Sequence, residues 1–223
     1  MDDSKWERWG ALGGILFAVL VAITFFLPGS PPKTSDSATK IAKFIADKDD
    51  ALRWSGYIGA VAVIPLYWWL GSVWRLMRRS EGGSPRLAVA ALSGAVFASV
   101  LATIGGVTLA VLPIVGVRTL GTGGARTFYL LSTNLAISTE FGLAVFLGAF
   151  SALIIRSRVL PPVLGWLGAL IALVAVVGGA AVATTRDAIF VVAFVAFLAF
   201  LVWVLVVSIL MLRGPQESAA SAA

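Results

Sequence analysis

Ala188–Leu212 reads AIFVVAFVAFLAFLVWVLVVSILML, twenty-five residues without a charge and with one hydroxyl, Ser208. As a helix it spans about 37 Å, more than the roughly 30 Å of a bilayer hydrocarbon core. A barrel strand would be shorter and would alternate polar with apolar residues. Inside lipid the backbone has no water to bond, so a run this long has to be a helix. Five more runs precede it: Gly10–Leu27, Trp54–Trp74, Leu87–Leu112, Leu130–Ile155 and Pro162–Ala183. Together the six hold 138 of the 223 residues.

The charges obey the same division. There are 17 Lys and Arg and 11 Asp and Glu, 28 in all, and only Glu140 lies inside a run. An even spread would place about 17 there, so the segregation decides the class. Composition agrees: 59% of residues are apolar, 13% are charged and mean hydropathy is +0.97. A soluble domain would leave much of this apolar surface exposed, and a disordered chain would be far less hydrophobic. The expectation is an all-α, polytopic membrane helical bundle. It is one domain over residues 1–223, with six transmembrane helices near 10–27, 54–74, 87–112, 130–155, 162–183 and 188–212. Phe25-Phe26-Leu27-Pro28-Gly29-Ser30 offers no Ala-x-Ala cleavage pattern, so the first run reads as a retained span.

Six spans place both termini on one side. With the termini inside, the inner segments carry nine Lys and Arg and the outer segments eight. The inner charges are clustered against span ends, at Arg75–Arg86 and Arg156–Arg158, whereas most outer lysines sit in a loop with four aspartates. This points to a multi-pass protein of the plasma (inner) membrane with both termini cytoplasmic. The net charge of +6 suits anionic lipid headgroups as partners. It does not suit nucleic acid, because no basic domain exists to present a binding surface. Trp6, Trp9, Trp54, Tyr57, Trp74 and Trp166 mark span ends, where amphipathic rings settle. Trp68 and Trp69 lie deeper and are expected to pack between helices.

Missing residues exclude much chemistry. Without His or Cys there is no imidazole or thioether haem attachment, no Cys/His zinc site, no disulfide and no Ser-His or Cys-His catalytic pair. No catalytic set, metal site or cofactor is expected. Glu140 is the one intramembrane ionisable group, a position that costs at least about 2.5–3.5 kcal/mol by insertion scales. Asn134 and Ser138 lie nearby on the same run, and Tyr67 and Thr103 are candidate partners on other spans. Two roles stay open for this polar site. One is a proton-carrying or ligand-anchoring carboxyl. The other is a neutral carboxyl bonded across the bundle, contributing roughly 0.6–2 kcal/mol.

Between spans one and two, Ser35-Asp36-Ser37 offers helix-capping residues, and Ile41, Phe44, Ile45 and Leu52 recur at helical spacing. A short amphipathic helix near Ser37–Asp50 is expected in this first outer loop. The second outer loop, Pro113–Arg126, holds Gly116, Gly121, Gly123 and Gly124, with Arg118 and Arg126 either side of Gly121-Thr122-Gly123-Gly124. Arg118, Gly123, Gly124 and Arg126 form a candidate anion site, although the loop lacks the lysine and preceding strand of a P-loop. Pro65 is expected to kink the second span, beside Tyr67, Trp68 and Trp69. On the sixth span, Phe190, Phe194, Phe197, Leu201 and Val204 form a bulky stripe expected to face lipid, a protein partner or a second copy of the chain.

At Leu160-Pro-Pro-Val-Leu-Gly-Trp-Leu-Gly168 the chain resembles a bacterial six-span membrane family common in actinobacteria. The first loop, with its prolines and Ser35–Asp50 helix, looks similar as well. The motif is structural: proline starts a helix, tryptophan anchors it and glycine packs it. The resemblance implies the six-span fold and carries no activity or site. Two functions remain in view. The first is a non-enzymatic accessory or lipid- or partner-binding subunit; the alternative is a proton-coupled secondary transporter of a small molecule using Glu140. Topology can be tested directly. Reporter fusions after Arg79 should give a cytoplasmic signal and fusions after Lys40 an external one, and the reverse would overturn the orientation.

Overall fold

The computed structural model describes residues 3–184 and 186–213. They form α1 (Asp3–Phe26), α2 (Ala38–Asp47), α3 (Asp49–Glu81), α4 (Arg86–Val115), α5 (Val117–Ser157), α6 (Pro162–Gly179) and α7 (Asp187–Arg213). A 3-10 turn, Ala180–Ala183, extends α6. All but α2 are long and apolar enough to cross a membrane, and no strand occurs among the described residues. The chain is a multi-pass integral membrane protein. The helices outrun the apolar segments because their ends suit charge: Asp49 and Asp50 open α3, and Arg78 and Arg79 close it, each complementing the helix dipole.

Each spanning helix packs on the next in chain order, and α1 closes on α7, so the six form a ring. One end, the terminal end, carries Asp3, the α3–α4 and α5–α6 turns and Arg213. The opposite, loop end carries α2. Gly82 ends α3 in the left-handed region at φ 71°. Glu81 then caps α4, its carboxylate accepting the amides of Leu87 (2.8 Å) and Ala88 (3.2 Å) where Pro85 offers no side-chain cap.

α5 is the most enclosed helix. Two thirds of its apolar window (67%) is buried, against 28–39% for the others. Its Phe146 sits among Trp69 of α3 (5.9 Å between ring centroids), Phe150 (5.9 Å), and Phe200 (6.3 Å) and Trp203 (6.2 Å) of α7. A smaller apolar cluster closes the loop end, where Ile41 and Ile45 of α2 meet Leu52, Leu112, Ala125 and Tyr129. The expected loop helix is thus present. Ser37 caps it through its Oγ, and Ile41 and Ile45 are fully buried while Lys43 is exposed.

Several expectations change. Trp69 is buried, but its neighbour Trp68 is 54% exposed on the membrane-facing side. Adjacent helical residues point about 100° apart, so only one of the two can reach the core. Pro65 does not end α3, which runs on to Glu81, and its carbonyl lies against Gly13 of α1. The α7 stripe is split: Phe194 is exposed, whereas Leu201 and Val204 are core residues, and Val191, Val195, Val202 and Ile209 face outward instead. Residues 113–126 are not an open loop. α4 and α5 are separated by Gly116 alone, and Gly121 (φ 66°, ψ 168°) bends the first turns of α5. Positive φ at these two glycines turns the chain without a longer connector. Trp6 and the other side chains of residues 3–8 lie outside the described ones.

α4 and α5 touch backbone to backbone. A Cβ on Gly94 would stand 2.6 Å from the Gly142 carbonyl oxygen, and one on Gly142 2.6 Å from that of Gly94. Lipid tails are as apolar as leucine, so such close contact is what associates helices in a bilayer. Gly142→Ala should therefore lower thermal stability in mild detergent by about 1–3 kcal/mol through overpacking. Gly148→Ala, with nothing within 4 Å, should be neutral or stabilising by up to about 1 kcal/mol from helix propensity. Equal melting of both variants would refute this contact's importance.

Candidate functional site

The polar residues of α5 explain how a carboxyl comes to be alone. Thr133, Ser138 and Thr139 donate to Tyr129, Asn134 and Ala136 carbonyls, and the Asn134 amide donates to Leu130 (2.6–2.9 Å). All of these bonds return to their own helix. Ser132 crosses to α4, donating to the Gly105 carbonyl at 2.8 Å. Glu140 is 3% exposed, on the same buried stripe of α5 as Leu143, Leu147 and Phe150, and its Oε2 has no hydrogen-bond partner. The interhelical bond expected of a structural carboxyl is not made at that oxygen.

The other expected members of the site lie elsewhere. Tyr67 Oη and Ser99 Oγ are 3.0 Å apart on the α3–α4 seam, and Thr103 donates to the Ser99 carbonyl at 2.8 Å. The structure thus joins Tyr67 and Thr103 through Ser99, and pairs Asn134 with Ser138 along α5. No hydrogen bond among the described residues links either pair to Glu140. Further unpartnered buried atoms sit at tight glycine contacts. Trp69 Nε1 and Ser208 Oγ both crowd Gly14, and Ser151 Oγ crowds Gly168, beside the Trp203 indole that donates to the Leu164 carbonyl at 3.0 Å.

At the loop end the two arginines of the candidate anion site diverge in role. Arg118 is exposed beside an open Gly123, while Arg126 is half-buried and donates to the Thr34 carbonyl at 3.3 Å. Gly124 contacts only Leu120. Arg126 is therefore used, with Tyr129, whose hydroxyl donates to the Pro32 carbonyl at 2.6 Å, to strap the first loop over α5. Lys33 ties the same loop to Asp187 of α7 at 2.5 Å. That bond, with the attraction between the charges, holds the Lys33 amine above the ordinary lysine range. Lys40 pulls Asp36 below the usual carboxylate range. No sequence pattern marks Pro32 or Asp187 as partners, since they lie 97 and 154 residues away from theirs.

The terminal end is different. Arg78, Arg79, Arg86, Arg156, Arg158 and Arg213 are all exposed there, and Arg78 stands over the Trp74 ring at 5.9 Å. Arg158 closes α5 at φ 54° and ψ 26°, making it the one non-glycine residue with positive φ among those described. That conformation costs an L-residue roughly 1–2 kcal/mol. A scan of known families, a search of curated proteins and a search of solved structures each find no match to this chain.

Removing a buried polar group that lacks a partner relieves a desolvation penalty. Glu140→Leu should thus melt no lower than the parent in detergent, and Glu140→Gln should assemble normally. A Glu140→Leu variant destabilised by more than about 1 kcal/mol would reveal an interhelical bond.

Proposed function

We propose that this chain is a non-enzymatic membrane protein, an accessory subunit of the plasma membrane that holds lipid or a partner protein against the outside of its bundle. The observation that carries this reading is the filled axis. Trp69, Phe146, Phe150, Phe200 and Trp203 interlock where a translocation route would run. The void beside them, between Leu70, Trp74, Ala91 and Phe146, measures about 10 Å³, room for about one water. The larger concavity, about 470 Å³, is a shallow apolar groove on α1 lined by Val19, Ala22, Ile23, Phe26 and Leu27. It faces outward, where an acyl chain or a partner helix would lie. The sequence adds no nucleophile–base pair or thiol for catalysis, and the arginine-rich terminal end fits a cytoplasmic orientation.

One observation favours a second reading. A buried carboxyl with an unpartnered oxygen is the kind of group that carries protons in coupled transport, and Glu140 would be that group. Native mass spectrometry of gently extracted protein, paired with flux across proteoliposomes bearing a pH gradient, separates the two. The binding subunit retains a lipid or protein, passes no solute and is indifferent to Glu140→Gln. Gradient-driven flux abolished by Glu140→Gln would overturn it in favour of transport.

A further inference from the structure

We infer that the α5–α6 turn at the terminal end is a docking surface for the headgroup of an anionic phospholipid, gripped by Arg156 and Arg158. The inference rests on the lipid-holding reading above and names the lipid and its place. It begins with backbone geometry. At the same end of the bundle α3 stops on Gly82, at φ 71°, and α5 stops on Arg158, at φ 54°. Glycine takes this conformation freely, whereas an arginine takes it under strain. Strain of this kind gathers where a side chain is needed. The helix end does not itself need this arginine, because Arg156 already supplies a cation to the last turn of α5.

Charge and surroundings then define the occupant. At the loop end several cations are matched within the protein: Lys33 with Asp187, Lys40 with Asp36, and Arg53 with Asp49 and Asp50. At the terminal end Glu81, the carboxylate of the α3–α4 turn, is committed to the amides of α4. Arg156 and Arg158 are exposed and have no side-chain ion pair or hydrogen bond among the described residues. Four residues after Arg158, α6 begins with no side chain capping its first turn, so its positive dipole end opens onto the same turn. Two guanidinium groups and an uncapped helix start form a complement to phosphate. Directly beyond them Val163, Trp166 and Leu167 expose apolar surface, at 60%, 66% and 47%. A ligand that suits both regions has a phosphate at one end and acyl chains at the other, which is a phospholipid with net negative charge.

The test uses the full chain in mixed detergent–lipid micelles, with native mass spectrometry counting retained phosphatidylglycerol against phosphatidylcholine. The parent should prefer phosphatidylglycerol, and salt should erode the preference. Arg158→Gly removes the charge and suits the backbone. It should melt at the same temperature or higher, yet retain phosphatidylglycerol about fivefold less well. Adding Arg156→Gln should bring the loss to about twenty-five-fold, and Arg118→Gln at the loop end should change nothing. An Arg158→Gly variant that keeps its phosphatidylglycerol, or melts lower than the parent, would overturn the proposal. So would full displacement of the lipid by millimolar glycerol phosphate, which would mark a site for soluble anions. Equal retention of both lipids by the parent would overturn this inference alone. Retention of no lipid and no protein would remove the binding-subunit reading as well.

Discussion

Phe146 is the point on which the bundle turns. Its ring meets four other aromatic rings, contributed by α3, α5 and α7, and among the described residues α5 touches every other helix except α1. Aromatic pairs in edge-to-face or tilted contact contribute about 0.5–1.5 kcal/mol each beyond the area they bury. In a membrane that geometric term matters more than usual, because burying apolar surface away from lipid yields no hydrophobic gain. The same reasoning explains the glycines. Gly94 and Gly142 bring α4 and α5 to backbone contact, and Gly178 lies against the Ala193 backbone of α7. Large rings fill the centre, and small residues set the seams that hold those rings in register.

Polar groups follow from the solvent. Thr133, Asn134, Ser138 and Thr139 of α5 turn back on their own helix, since no water waits inside a bilayer to bond them. Those bonds each donate a hydroxyl or amide proton to a carbonyl; Glu140 Oε2 is an acceptor that no donor reaches, and it is left over. At the loop end Lys33, Lys40, Arg53 and Arg126 are held in ion pairs and straps, while Lys43 and Arg118 stay exposed. The terminal end keeps arginines exposed, one of them on a strained backbone. The filled axis leaves the outer surface of the bundle to meet lipid or a partner, and the proposed binding role rests on this.

Much of this architecture was legible in the chain itself. Six apolar runs, the exclusion of 27 of 28 charges from them, and the Ser37-capped helix with Ile41 and Ile45 on one face all follow from length, solvent and period. The site was less legible. Tyr67 reaches Ser99 of α4, and Thr103 bonds back to the Ser99 carbonyl of its own helix, so neither meets Glu140. Glycine richness between 113 and 126 reads as a loop, yet Gly116 and Gly121 instead supply the two positive-φ turns that let α4 pass almost directly into α5. The α7 stripe divides between surface and core because an all-apolar helix has no polar face to orient it; nothing in its sequence tells lipid from core.

What the sequence by itself determined is everything imposed by the bilayer on a single segment: which stretches are helices, how many cross, and where charges end. These constraints act residue by residue, through the need to satisfy the backbone and the cost of desolvating charge. Only the tertiary structure decided what depends on which helices meet. It closed α1 on α7 and sent Trp69 to the core and Trp68 to the membrane. It left Glu140 without a partner at one oxygen, and it put Arg158 where a glycine would rest more easily. Each of these is a relation between segments distant in the chain, or a backbone angle set by a turn between them, and packing geometry between helices is not written in the period of any one of them.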